Sequence, residues 1–141
     1  MPDLVATNRL THEGALKVVR ASMRKAEEMG VPQCIAVTDG AGRLLAFVRM
    51  DGAKFLSIRT STRKAMTAAS SRQPTGSVDE EHAIKLAFVT GGRLTNLKAG
   101  VPIVVGDEVV GAVGVSSGTG EEDLEVALAG IKALPEAKPW V

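Results

Sequence analysis

The stretch CIAVTDGAGRLLAFVRMDGAKFLSIRTSTRKAMTAASSR, Cys34 to Arg72, decides the fold. Cys34 to Thr38 is apolar and β-branched. Asp39-Gly40-Ala41-Gly42 follows with the residues of a hairpin turn, since glycine accepts the positive φ such turns require. Arg43 to Met50 runs RLLAFVRM, apolar on both faces, as a strand does when it is covered on each side. Asp51-Gly52 makes a second turn, with Asp51 standing where it would cap a helix. From Phe55, the residues Phe55, Ile58, Ala65, Met66 and Ala69 form a helical stripe that ends before Pro74. Thr60, Ser61 and Thr62 weaken that helix intrinsically, so packing has to hold it. The stretch is also basic. Arg43, Arg49, Lys54, Arg59, Arg63, Lys64 and Arg72 stand against the single acid Asp51, in a chain whose net charge is +1.

Toward the N-terminus, Thr11 caps a helix with Leu10 packed over its start. Its apolar residues Ala15, Leu16, Val19, Met23, Ala26 and Met29 recur at helical steps until Gly30 and Pro32 stop it. Beyond Pro74, Ser77 with Glu80 reads as a capping box for a short helix whose apolar members are Val78, Ala83, Ile84, Ala87 and Phe88. Thr90 to Gly100 reads as a long irregular loop, a kind of segment that often carries function. Val101 to Val105 and Val109 to Ser116 make a hairpin around Gly106-Asp107. Gly111 and Gly114 inside its second strand signal a bulge or a closely passing backbone. Thr119 with Glu122 is another capping box, and Glu121, Glu122 and Asp123 suit the first turn of the last helix. Leu124, Ala127, Leu128, Ile131 and Leu134 form that helix's buried stripe, and Trp140 after it reads as exposed unless a neighbour covers it. The order α-β-β-α-α-β-β-α over residues 1–141 places the chain in the α+β class, one domain with an antiparallel sheet flanked by helices.

Composition narrows the function classes. Aromatic residues make up only 3% of the chain, so its core has to be aliphatic. Cys34 is the only cysteine, which excludes an internal disulfide. The first residues lack a signal peptide's order and no apolar run is long enough to cross a bilayer, so a cytoplasmic protein without a membrane partner is expected. The basic stretch is offset by the acidic last helix, which argues against general nucleic-acid binding.

Among candidate site residues, arginine offers a planar fork matched to carboxylate and lysine a point charge. Arg49, Lys64 and Arg72 are candidates to hold an anion. Arg59 and Arg63, four apart, share a helix face and read as solvated or in a subunit contact. Asp51 reads as a turn and cap residue that can also face a pocket. His82 is a group that can move a proton near neutral pH, and His12 reads as structural. Two histidines without a paired spacing or a cysteine partner make no metal site.

The segments LTHEGAL, RMDGA, KAMTAA and GVPIVVGDEVVGAVGVSSGT, in unbroken order from about Leu10 to about Ile131, resemble the GlcG/HbpS family of haem-binding-type proteins. They are also similar to the C-terminal domain of PduO-type proteins. The resemblance implies a profilin-like fold assembled into a homo-oligomer, commonly an octamer, and a tie to haem, corrinoids or small-acid catabolic operons. Two functions are then expected. One is a binder of an anionic organic molecule or a tetrapyrrole, haem among them, held at Arg49, Asp51, Lys64, Arg72 and Gly100 under the loop from Pro74 to Gly100. The alternative is a cofactor-free tautomerase, hydratase or hydrolytic dehalogenase acting on a small unsaturated carboxylic acid of aromatic catabolism. There His82 or Lys64 would move the proton. The chain has no tyrosine, so His12 and His82 are the imidazoles open to a haem iron.

Overall fold

The computed structural model describes residues 1–140. Its elements are α1 (His12–Met29), β1 (Cys34–Asp39), β2 (Leu44–Arg49), α2 (Ser57–Ser71), α3 (Glu80–Val89), β3 (Gly100–Val105), β4 (Glu108–Ser116) and α4 (Gly120–Ile131). The order is the one expected from sequence. The four strands form an antiparallel sheet in the order β2-β1-β4-β3, so the two hairpins join along β1 and β4.

Local chemistry accounts for most of the boundaries. The Thr11 hydroxyl accepts the Gly14 N–H at 3.0 Å, and Gly30 ends α1 at φ 70°. In the β1–β2 turn, Asp39 Oδ1 accepts from the N–H groups of Ala41 at 2.9 Å and Arg43 at 3.0 Å. At the start of α4 both halves of the capping box are made between Thr119 and Glu122.

The two faces of the sheet are covered differently. Ile35, Val37, Val101, Ile103, Val113 and Val115 meet α1 and α4 through Val18, Ala26, Val126 and Ile131 in a continuous aliphatic core. On the other face α2 lies on Ala36 and Ala112 through Ala65, Ala68 and Ala69, with Phe47 packed against them. That second contact is a close approach of backbones. A Cβ on Gly114 would collide with the Ser61 carbonyl and stand 2.5 Å from the Ala65 nitrogen, and one on Gly100 would collide with the Lys64 carbonyl. The strand glycines therefore mark a passing helix. A register shift also occurs, in β3 between Ile103 and Val104.

Several expectations are corrected. Helix α2 begins at Ser57 rather than Phe55, and its N-cap Leu56 makes no side-chain capping bond, so Asp51 is not its cap. Phe55, expected inside, is 69% exposed, because α2 meets this closely approached sheet through Ser61, Ala65, Ala68 and Ala69. Helix α3 is capped by Asp79, whose carboxylate accepts the His82 N–H at 3.3 Å, not by Ser77. Ala83 is the only buried residue of α3, and Ile84 and Phe88, expected inside, are 67% and 88% exposed.

The tail after α4 folds back on β3. Trp140 is half-buried and its Nε1 donates to the Pro102 carbonyl at 2.9 Å, while Lys138 N donates to the Val104 carbonyl at 2.7 Å. Upstream, Thr75 N donates to the Gly100 carbonyl at 2.9 Å. No helix among the described residues is long and apolar enough to cross a membrane.

Candidate functional site

The residues expected to hold a ligand do not share a hollow. Arg49 is exposed at the end of β2, in register with Cys34, at the end of the sheet where α2 starts. Arg72 is exposed at the opposite end of α2, as its C-cap with φ 62°. A 15-residue helix spans about 22 Å at 1.5 Å per residue, which sets the scale of their separation. Asp51 is exposed in the turn after β2. Gly100 is buried beneath the Lys64 carbonyl and the Thr75 side chain.

Lys64 is the surprise of the set. It is only 3% exposed, and its Nζ donates to the Val115 carbonyl at 2.7 Å and to Asp123 Oδ2 at 3.1 Å. Burial pushes its pKa down, and the adjacent Asp123 carboxylate opposes that shift. The other Asp123 oxygen, Oδ1, accepts the Gly118 N–H at 2.9 Å. This pair ties α2 to β4 and the head of α4. His82 lies exposed on α3, so the fold does not pair it with the enclosed Lys64 ammonium. Next to Gly118 stands Gln33, fully buried, with both amide atoms unpartnered among the described residues. Sequence reading had no handle on Gln33. It had none on Asp123 either, which looks like its exposed neighbour Glu121.

Cys34 is buried, with Sγ donating to the Lys54 carbonyl at 3.7 Å. Burial raises its pKa, and the nearby Arg49 charge lowers it by less. The thiol therefore stays protonated and shielded. Iodoacetamide at pH 8 should label it about a hundredfold more slowly in the native protein than in concentrated urea, followed by mass spectrometry. Comparable rates would mean that this end of β1 opens freely.

A groove of about 790 Å³ opens between α2, α3 and the β1–β2 turn. Met66, Phe88, Val89 and Leu94 give it apolar walls, and Thr67, Ser70 and Arg93 give it polar ones. Thr67 shapes it by donating to the Arg63 carbonyl at 2.8 Å and accepting the Thr95 N–H at 3.0 Å. Asn96 clasps the approach to α3 through both its amide atoms, to Val78 N at 3.0 Å and Val78 O at 2.7 Å. Arg93 Nη1 donates to the Thr90 carbonyl at 3.2 Å. Among the described residues no carboxylate lies within ion-pair distance of its guanidinium. The sequence signal for this groove was the irregular loop from Thr90 to Gly100.

Comparison with known proteins agrees with this fold. The chain is 39% identical over 108 residues to Protein GlcG of Escherichia coli, which covers 76% of this chain and 81% of that protein. A crystal structure of Klebsiella pneumoniae protein ORFY superposes with a TM-score of 0.89 at 28% identity, over 98% of this chain and 99% of that one. HbpS of Streptomyces reticuli, solved as a double mutant, gives a TM-score of 0.84 at 31% identity, over 95% of this chain and 92% of that one. The family model described as haem degrading protein HbpS-like matches residues 10–132, and the chain belongs to that family.

Proposed function

We propose that this protein binds an amphiphilic organic carboxylate of the tetrapyrrole class in the groove between α2 and α3, acting as a single ligand-binding unit within a cytoplasmic homo-oligomer. The observation that carries the reading is the Arg93 guanidinium, free of any carboxylate partner among the described residues, at the rim of an apolar groove. A volume of about 790 Å³ suits a ligand of that size. Met66, Phe88, Val89 and Leu94 would cover the ring system, and Arg93 would take a carboxylate through its remaining N–H groups.

The family points to haem, and the groove fits it in part. Its lining suits a macrocycle and a carboxylate, but the side chain there of a type that binds iron is the Met66 thioether, with no imidazole. Affinity is therefore assigned to the apolar walls and the arginine rather than to a metal–histidine bond. When bound, haem would supply redox chemistry of its own, and the chain's part is to hold it and shield one face from water.

Titration with haemin and with metal-free protoporphyrin IX, read by absorbance and by porphyrin fluorescence, tests this. Both should bind with similar affinity. Arg93→Ala should weaken both about five- to tenfold, as expected for losing one charge-assisted contact near the surface. Phe88→Asp should weaken both further. Binding of neither molecule, or binding indifferent to both substitutions, would refute the proposal.

A further inference from the structure

Helix α3 is barely attached to the rest of the molecule. Ala83 is buried, but Ile84, Phe88 and Val89 are 67%, 88% and 79% exposed. Among the described residues, the hydrogen bonds and ion pairs of residues 80–92 all end on residues 79–94, within the same excursion of the chain. A helix this short is marginal in water by itself, so its few fixed points decide where it stands. Those points lie at the base of the excursion. Asn96 holds Val78 through both its amide atoms, which closes residues 78–96 into a flap with one neck. Beside the neck, the Thr67 hydroxyl of α2 accepts the Thr95 N–H.

Open space lies on both sides of the helix. The groove of about 790 Å³ runs along its Phe88 and Val89 end. A second hollow, of about 370 Å³, is lined by Ala83, Ile84 and Ala87 on the helix and by residues 94–97 of the returning chain. Close-packed interiors leave no such room, and a flap between two hollows is free to tilt. Gly91 and Gly92 follow α3 at φ 65° and 78°, and a Cβ on Gly92 would meet nothing within 4 Å. Glycine stands there for a left-handed backbone rather than for close packing, which suits a pivot at the foot of a helix.

We infer that α3 is a lid on the groove, swinging on the Val78–Asn96 neck and the Gly91-Gly92 pivot, and that a bound ligand holds it down. The inference rests on the ligand reading above and adds how the ligand enters and leaves. Phe88 and Val89 stand at the edge of the groove, where water faces them until a ring system covers them. An occupied groove therefore favours the closed position, and entry and exit both pass through the open one.

Hydrogen exchange read by mass spectrometry, with and without protoporphyrin IX, tests this. In the free protein the amides of residues 80–92 should exchange about tenfold faster than those of α2 and α4, because they open without the core. The porphyrin should slow them more than it slows α4. Asn96→Ala removes the latch and should speed exchange at residues 80–92 about fivefold or more, with wild-type circular dichroism. In stopped-flow fluorescence it should raise porphyrin association and dissociation by a similar factor. Kd should then stay within about twofold of wild type, which loss of stability alone does not produce. If the porphyrin binds while amides 80–92 of the free protein are as protected as those of α2, the ligand reading stands and the lid fails. Faster dissociation of Asn96→Ala with unchanged association also overturns the lid, since the neck would then only support the bound form. Absence of porphyrin binding in the titration overturns both.

Discussion

Asp123→Ala should lower the free energy of unfolding by about 3–5 kcal/mol, the cost of leaving a buried charge without its partner. The ammonium of Lys64 would keep the Val115 carbonyl at 2.7 Å but lose its carboxylate, and the Gly118 N–H would lose its acceptor. The double variant Lys64→Met/Asp123→Val should recover part of that loss, because both charges are removed together, while the Gly118 N–H stays without its acceptor. Urea unfolding of the wild type and the variants measures both effects. A loss below about 1 kcal/mol for Asp123→Ala would mean that water reaches the pair and screens it. The alkaline range gives an independent check. Burial lowers the pKa of Lys64 in the folded state, so the unfolded chain holds that proton to higher pH. Stability should therefore rise with pH between the depressed folded value and the unfolded value near 10.4, and Lys64→Met should abolish that contribution.

Gly114→Ala should be as damaging, by a different route. Its Cβ would strike the backbone of α2 at Ser61 and Ala65, and a backbone cannot rotate aside as a side chain does. The helix would have to lift from the sheet, opening the contact among Ala36, Ala65, Ala68, Ala69 and Ala112. A cost of about 3 kcal/mol or more is expected, at the upper end for inserting one methyl group. Gly120→Ala is the control: a Cβ there meets only Lys98 side-chain carbons, the nearest at 3.5 Å, within the first turn of α4. It should be neutral. Thermal unfolding of both variants settles the comparison, and a Gly114→Ala protein that melts with the wild type would show that α2 is free to shift.

The elements were readable in the chain because their signals are local. Thr11, Gly30, the Asp39–Gly42 turn, the Gly106 hairpin and the Thr119–Glu122 box each act within a few residues. Even Gly111 and Gly114 of β4 announced close backbones, though not that β1 passes the first and α2 the second. What was not readable depends on which side of α2 faces the sheet. Of the predicted stripe, Ala65 and Ala69 do face the sheet, joined there by Ser61 and Ala68, whereas Phe55 and Ile58 are left exposed. That arrangement turns Phe55 outward and Lys64 inward, so a lysine counted among the anion-binding cations becomes half of an enclosed ion pair. Arg49 and Arg72 looked like partners because both flank family motifs, but a helix of this length holds them apart. Arg93, by contrast, lay inside a loop already marked as the kind that carries function, and only the folded position of that loop gives it a groove.

The contacts at the outer side of β3 bear on how this sheet could grow. A strand at the rim of a sheet ordinarily offers its free backbone groups to any extended segment that comes near. In β3 the alternate carbonyls of Gly100, Pro102 and Val104 are already taken by Thr75, Trp140 and Lys138, and proline has no N–H to offer. That margin is closed to an incoming strand. Recruitment of a foreign β-segment, or a runaway ladder of copies, would have to begin at β2.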